Sequence, residues 1–429
     1  MHLSFNLSFL KKEFKQNIKV ILLSLTFISL TIKENINSIA LIVLFIFSTA
    51  QYIKDKKKNA PTYYYPIILF FILTVLNLLL FDSYDFSETK KYLLRALLFL
   101  IIPIIFIFIK ISRKELLRIE LYYVLWIILN AIYSHLTMIS LLITKNESLN
   151  LLFRKDYSYI KLADTIGLDS TYYSFFVLLA IILLFNFLLV AKKKLYVGIY
   201  LTAILYLSFF IIHLSSRMNI VALVILILFY IFYYFILRKK AILGIVVTIT
   251  SAIILSTALY NVRATRYRFQ QIIGFTFSNG TTHRDGLNKL RQFDAAIEAN
   301  KSILFGNGIQ NANNAIIKSY ERNGLLHFAK ERYNAHNQYI QIYVGAGIIG
   351  ELTLIFLIFY YSVFFWKSKN ITGFLFVTLI SFLFLTESYL ERHNGIVLFT
   401  LFICLQVNYD LSSSEKGKAN KISIHKNGN

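Results

Sequence analysis

A dense group of polar side chains, YNAHNQY at residues 333–339, contains the first candidate for chemistry in this 429-residue chain. The group runs directly into an apolar stretch, so His336 and Asn337 are expected at the start of a long helix. The first amides of a helix lack partners within it and favour anions, and a neighbouring arginine adds charge-assisted hydrogen bonds to a phosphate. We therefore expect a site for an anionic group beside His336, and histidine is the residue type that serves most often as a general base.

The arginines suited to binding such an anion lie close to apolar segments. Arg217 ends the sequence SSR between two apolar runs, where a charge either reaches the lipid headgroups or faces a water-filled cavity. Arg263 and Arg266 share one face of a helix, which either rests on headgroups or forms a basic lid over an anionic ligand. Both interpretations stay open for these three residues. Arg95 lies one turn inside an apolar run and is expected to reach the headgroups.

Glu387, in the sequence TES, is a carboxylate at the predicted edge of an apolar run. Such a charge needs a partner, and we expect an arginine near the outer membrane surface to supply it. The eight histidines show no HxxH or HxxxH spacing, and the single cysteine, Cys404, lies inside an apolar run. Because metal ligands usually recur at such spacings, the sequence predicts no metal site, no disulfide and no cofactor.

The composition indicates which elements hold these residues. The chain is 57% hydrophobic and 16% charged, with a mean hydropathy of +0.61, whereas soluble domains carry about 25% charged residues. This excludes a soluble enzyme, a secreted disulfide scaffold and a disordered tail. The net charge of +23 would suit nucleic acid, but nucleic-acid-binding proteins are polar, so no nucleic-acid partner is expected. The sequence predicts an all-α polytopic membrane protein.

About 20 apolar residues cross about 30 Å of hydrocarbon, and twelve apolar runs approach this length. The first run is short and the fifth is long, so counts of eleven and thirteen spans stay open. The expected spans are Ile18–Ile32, Ile36–Ile53, Tyr63–Phe81, Tyr92–Ile109, Leu121–Ile143, Thr171–Val190, Leu195–Leu214, Ile220–Leu237, Ala241–Tyr260, Tyr339–Trp366, Ile371–Thr386 and Ile396–Tyr409. Gly345, Gly347 and Gly350 permit a close helix approach or a bent entry in the tenth span.

The positive charges orient these spans. With a cytoplasmic N-terminus, 24 of the 45 lysines and arginines fall in cytoplasmic segments and 10 in short external ones. The other 11 fall in a long loop, which does not determine orientation because long loops cross the membrane regardless of charge. The chain is thus expected to comprise a membrane bundle of about nine spans (1–260), a large periplasmic loop with helices (261–338), about three C-terminal spans (339–410) and a cytoplasmic tail (411–429).

The second half of the chain resembles the family of bacterial O-antigen ligases and lipid-linked oligosaccharide polymerases. The matching pieces are SSR, HRDGLNKL followed by FGNG, HNQYIQIYVGAGIIGE and TESYLERHNG, in this order across roughly residues 200–409. The resemblance implies that Arg217 and Arg284 bind the diphosphate of a lipid-linked donor and that His336 is the essential histidine at the end of the loop. Glu387 then supports the site, and the remaining candidates for binding or support are Arg263, Arg266 and Asn337.

The resemblance also implies a function, a metal-independent glycosyltransferase at the periplasmic face of the bacterial cytoplasmic (inner) membrane, with both termini in the cytoplasm. We expect it to polymerise undecaprenyl-diphosphate-linked oligosaccharide repeat units into surface polysaccharide, either O-antigen or capsule. One alternative is a ligase that transfers the lipid-linked glycan to lipid A core. Another is a transporter or flippase of lipid-linked sugar, although such proteins usually place charges near the membrane midplane. The expected partners are the lipid-linked donor, a lipid-linked glycan or lipid A core acceptor, and a chain-length regulator protein.

Overall fold

The computed structural model describes residues 7–55, 61–81, 86–154, 157–261 and 284–426. Within these ranges the chain is helical and contains no strand, which confirms the prediction of an all-α polytopic membrane protein. The α-helices are α1 (Leu7–Ser29), α2 (Glu34–Asp55), α3 (Tyr65–Leu80), α4 (Phe86–Ala96), α5 (Leu98–Phe108), α6 (Arg113–Thr144), α7 (Ile160–Asp164), α8 (Ser170–Val190), α9 (Lys194–His213), α10 (Arg217–Leu237), α11 (Ala241–Asn261), α12 (Arg284–Glu298), α13 (Ala312–Arg322), α14 (Leu326–Lys330), α15 (Gln338–Ser368), α16 (Ile371–Leu383) and α17 (His393–Lys426).

Nine helical segments of the described ranges are long and apolar enough to cross a membrane. Three shorter apolar helices, at the end of α1, the start of α11 and in α16, coincide with the remaining predicted runs. Each of the twelve runs therefore corresponds to an apolar helix, while the number that crosses the membrane stays a prediction.

Helices α8 and α17 form the centre of the bundle. Both are buried over most of their apolar length, whereas α2 and α9 expose large apolar side chains that suit contact with lipid. Buried polar side chains join α17 to its neighbours: Asn408 accepts from the backbone N–H of Ile111 at 2.8 Å and donates to the carbonyls of Phe106 and Ile109 at 2.7 and 2.8 Å. Asn408 thereby pairs backbone groups that the break between α5 and α6 would leave without partners in an apolar interior.

Helix α15 is broken at Gly347, whose φ of 65° and ψ of −164° are not helical. After the break, the N–H of Ile348 donates to the carbonyl of Ile303 at 2.8 Å instead of to the preceding turn. In return, the carbonyl of Val344 accepts from the N–H of Asn307 at 2.9 Å. The close approach and the bend that the glycines permitted both occur here, and the partner is a segment of the long loop.

The long loop has a small hydrophobic core of its own. Helices α12, α13 and α14 pack together around Ala296, Ile316 and Tyr320, and Val344 from the first half of α15 completes the group. This packing fixes the loop above the start of α15, where His336 lies.

Candidate functional site

Arg217 and His336 are far apart in sequence but line one open cavity of about 550 Å³. Arg291, His327 and Tyr333 also line it. Among the described residues that line this cavity, none is acidic. A cavity with several cationic or titratable side chains and no opposing carboxylate on its lining favours an anionic ligand.

His336 is held by a tight turn immediately before α15. Its φ of 46° lies in the left-handed region, which is costly for a residue with a side chain. Its N–H donates to the side-chain oxygen of Asn334 at 2.8 Å, and its ring packs edge-to-face with the Tyr333 ring, with centroids 5.2 Å apart. Gln338 ties the same turn to the segment after α16, because its N–H donates to the carbonyl of Phe384 at 2.8 Å. The imidazole therefore has a fixed position.

Glu387 orients the His336 ring. The Nδ1 atom of His336 lies 3.2 Å from Oε2 of Glu387, with the two side chains 30% and 16% exposed. The other oxygen, Oε1, accepts from the N–H of Ser388 at 3.1 Å. An ionised carboxylate only accepts hydrogen bonds, so this contact places the proton of the neutral ring on Nδ1. The Nε2 atom then carries the lone pair that accepts a proton.

Arg217 is the first residue of α10 and follows a tight turn in which Ser215 has a φ of 51°. His213 holds this turn, since its carbonyl accepts from the N–H of Tyr159 at 3.3 Å. The His213 ring donates from Nε2 to the carbonyl of Leu152 at 2.9 Å, which leaves its Nδ1 to accept from Nε2 of His135 at 3.0 Å. Two neutral histidines, His135 and His213, thus fix the end of α9. Arg217 follows this fixed segment at the start of α10.

Comparison with protein families places this site in a known context. The model of the family described as O-Antigen ligase matches residues 201–355. Over this stretch the chain is similar to the O-antigen ligase and polymerase family. The matched stretch contains Arg217 and His336, and the resemblance found in the sequence is confirmed. No curated protein matches the chain.

The structure describes the remaining predicted binding residues to different extents. Arg284 is the first residue of α12, and its side chain lies outside what the structure describes. Arg263 and Arg266 lie outside the described residues. Asn337 caps α15, because its side-chain oxygen accepts from the N–H groups of Tyr339 and Ile340 at 3.0 and 3.2 Å. A direct contact of these four residues with substrate stays a prediction.

One expectation about the start of α15 is wrong. The sequence suggested that the first amides of this helix are open to an anion, but the structure pairs them within the protein. Asn337 accepts from the amides of residues 339 and 340, and its carbonyl accepts from the N–H of Gln341 at 2.9 Å. The amide of residue 338 donates to Phe384. Within the described residues, the positive charge of the cavity therefore comes from side chains.

Two cavity residues, Arg291 and His327, were not singled out from the sequence. Arg291 follows Arg284 by seven residues, or two helical turns, so the two positions lie on the same face of α12. This spacing was the feature of the sequence that could have identified Arg291 as a cavity residue. His327 lies in a five-residue helix with no distinctive pattern. Arg291 also donates to the carbonyl of Asn323 at 3.3 Å, which joins α12 to the end of α13.

Glu387 forms an ion pair with His336 in the structure, and the expected arginine partner of Glu387 stays a prediction. In the described residues, no group of three His, Cys, Asp or Glu side chains is placed to hold a metal ion. Metal-independent transfer stays a prediction.

A series of hydrogen bonds connects the turn of His336 with α4, in the first quarter of the sequence. The N–H of Ala335 donates to Gln341, whose amide nitrogen donates to Asn313 at 2.9 Å. Asn313 donates in turn to the hydroxyl of Tyr92 at 2.9 Å, and Tyr92 donates to Glu391 at 3.2 Å. Each group uses its oxygen to accept and its N–H or O–H to donate, so the series is ordered in one direction.

Arg95 contacts Glu391, the last residue of this series of hydrogen bonds. Its guanidinium donates to the backbone carbonyl of Glu391 at 2.6 Å and lies 6.0 Å from the centre of the Tyr92 ring. The guanidinium of Arg95 therefore binds a carbonyl of the protein, and its contact with the headgroups stays a prediction. Burial raises the pKa of the Glu391 carboxyl, and Arg95 opposes this shift by favouring the charged form.

Proposed function

We propose that this chain is a membrane glycosyltransferase that polymerises undecaprenyl-diphosphate-linked repeat units into surface polysaccharide. The family supports O-antigen ligase or polymerase-type function, and the finer assignment rests on the site. The observation that carries it is the pairing of His336 with Glu387 at 3.2 Å on a cavity that Arg217 also lines. A base and a phosphate-binding cation on one cavity are the two components that this transfer needs.

The reaction moves a glycan from a diphosphate to a sugar hydroxyl. The acceptor oxygen attacks the anomeric carbon of the donor while the bond from that carbon to the diphosphate oxygen breaks, which inverts the anomeric configuration. The proton of the acceptor hydroxyl passes to Nε2 of His336, and the bond electrons leave with the diphosphate. No further reactant is required for this balance.

Arg217 stabilises the leaving diphosphate. Negative charge increases on the bridging oxygen in the transition state, so a fixed cation there lowers the barrier more than it strengthens binding of the donor. The guanidinium suits this task because it stays charged and contacts two phosphate oxygens at once. We assign Arg284, Arg263 and Arg266 to the same diphosphate as supporting residues.

Glu387 prepares His336 for the proton transfer. By accepting from Nδ1 it holds the tautomer in which Nε2 accepts a proton, and its negative charge stabilises the imidazolium that forms. Glu387 acts through His336 and is therefore a positioning residue.

Substitution of His336 tests this assignment. His336→Ala is expected to lose polymer by at least about 10²-fold while the protein remains in the membrane, because general base catalysis typically contributes that much. His327→Ala is the matched control, since His327 lines the same cavity without a place in the pair. The measurement is the glycan ladder formed from purified donor by reconstituted protein without a gradient. Near-normal product from His336→Ala would reject the assignment, and product from the parent chain would exclude a flippase.

The acceptor distinguishes polymerase from ligase. We prefer polymerase because polymerases of this kind are the more divergent group, and the family match here is confined to residues 201–355. Deletion of the gene is expected to leave single repeat units on the glycan acceptor. Accumulation of lipid-linked polymer beside an unmodified lipid A core would identify a ligase instead.

A further inference from the structure

Three consecutive large apolar residues are exposed at the tip of a turn in the long loop. Ile303, Leu304 and Phe305 are 71%, 55% and 46% exposed, and we call them the apolar tip. Exposure of an isolated apolar residue is ordinary in any protein, but three in succession on a polar loop mark a contact surface.

The apolar tip lies beside the ends of two membrane helices. The side-chain amide of Asn77, one turn before the end of α3, donates to the carbonyl of Phe305 at 3.0 Å. The same side chain accepts from the N–H of Ile309 at 2.8 Å. Phe305 also lines an apolar cavity together with Leu80 of α3 and Ile349 of α15.

The neighbouring surfaces of both helices are themselves apolar and exposed. In α3, Leu79 and Leu80 are 76% and 69% exposed, and in α15 the exposed apolar residues begin at Ile349, directly after the break, and continue with Leu352. In a membrane protein such surfaces face lipid. The apolar tip is continuous with this lipid-facing band on either side.

The backbone carbonyls of the apolar tip are all hydrogen-bonded within the protein, as an apolar environment requires. Its three carbonyls accept from Ile348 N–H at 2.8 Å, from Ile349 N–H at 3.5 Å and from the Asn77 amide at 3.0 Å. A non-helical backbone is tolerated at membrane depth only when its polar groups are paired within the protein. The break at Gly347 releases the two N–H groups that make this pairing.

We propose that the apolar tip inserts among the lipid acyl chains beside α3 and α15 and anchors the long loop to the bilayer. Lys301 lies just before the tip and is exposed, a position from which its ammonium reaches the headgroup phosphates. Residues 348–368 then form the membrane-spanning part of α15, about 30 Å long, while its first half belongs to the loop. The cavity of His336 and Arg217 is thereby held at a fixed height over the membrane surface.

Spin labels on single cysteines test this insertion without reference to activity. Leu304→Cys carries the label at the tip, Leu352→Cys is the lipid-facing reference on α15, and Lys318→Cys is the aqueous reference on α13. The parent chain is the blank because its one cysteine, Cys404, is buried. Each protein is reconstituted in vesicles of phosphatidylethanolamine and phosphatidylglycerol, and collisions with oxygen and with a water-soluble nickel chelate are compared.

The proposal expects the label at Leu304→Cys to collide mainly with oxygen, as Leu352→Cys does. A ratio equal to that of Lys318→Cys would place the tip in water and overturn the proposal. Protection from both reagents would mean that protein covers the tip, which would also overturn it. Ile303→Cys repeats the measurement at the most exposed position, where a substitution disturbs the least packing.

Discussion

His336 is restrained on two sides by groups with different tasks. Asn334 and Tyr333 fix the backbone and ring, while Glu387 determines which ring nitrogen carries the proton. Strain at a non-glycine residue with positive φ persists only where the surroundings over-determine it. Here the surroundings include the 386–391 segment, so the catalytic assignment depends on two segments about fifty residues apart.

Replacement of Glu387 by glutamine separates its charge from its size. Glu387→Gln keeps the volume of the side chain but removes the charge that stabilises the imidazolium. We expect kcat to fall by roughly 10² or more with little change in KM, because the lost interaction grows in the transition state. Initial rates over a range of purified donor concentrations give kcat and KM separately. An unchanged kcat would show that the pair is only structural, and Glu321→Gln, on the exposed surface of α13, is the control.

Glu391 provides a pH-dependent prediction on stability. Burial raises the pKa of its carboxyl, so the folded state binds the proton more tightly than the unfolded state does. Its contribution to stability is complete at low pH and is lost as pH rises through the raised pKa. Glu391→Gln cannot ionise and still accepts from Tyr92, so its melting temperature relative to the parent should increase as the pH rises from acidic to neutral. Thermal unfolding in detergent at several pH values checks this, and a difference independent of pH would contradict it.

At the scale of elements, the break in α15 determines where the long loop sits. Gly347 has a φ of 65°, and a Cβ at this position would collide with the carbonyl of Leu304. The glycine therefore permits both the bend and the backbone pairing with the apolar tip. A continuous helix would keep those N–H groups for itself.

Gly347→Ala is expected to be strongly destabilising. A φ of 65° with a ψ of −164° is a backbone conformation that essentially only glycine adopts, and it costs other residues about 1–3 kcal/mol. The collision with Leu304 adds to this cost. Gly198→Ala in α9 is the control because nothing lies within 4 Å of its added Cβ. That variant should be neutral or more stable by up to about 1 kcal/mol. Denaturant unfolding in detergent measures both, and equal effects would contradict the role given to Gly347.

The elements differ in how far the sequence predicts them. Long apolar runs predict the helices because hydrocarbon leaves few alternatives to a helix, and all twelve runs correspond to apolar helices. The pairing of residues 303–307 with 344–349 was not predictable, because it depends on the φ of one glycine and joins segments about forty residues apart. The expected anion site at the start of α15 failed for a similar reason, since the partner of its first amide is Phe384 from another helix end.

At the scale of the whole molecule, the first half of the chain supports a site that lies in the second half. Tyr92 and Arg95 of α4 reach Glu391, and Tyr92 continues through Asn313 and Gln341 to the turn of His336. The resemblance to the family covers only the second half of the chain and therefore does not include Tyr92 or Arg95. The sequence showed only that these two polar residues lie within an apolar run. The sequence predicted the candidate site residues from their residue types. The residues that support them could be identified only from the contacts in the folded structure.

The orientation of the whole molecule is the remaining prediction. It rests on 24 basic residues in the predicted cytoplasmic segments against 10 in the short external ones, a bias that reflects the cost of moving positive charge across the membrane during insertion. In right-side-out membrane vesicles, Lys318→Cys in the long loop should react with a membrane-impermeant maleimide. Lys193→Cys, between α8 and α9, should react only after the vesicles are opened, and the parent chain with its buried Cys404 should not react. The reverse pattern would place the cavity of His336 on the cytoplasmic side, where a polymer destined for the cell surface would be made on the wrong face of the membrane.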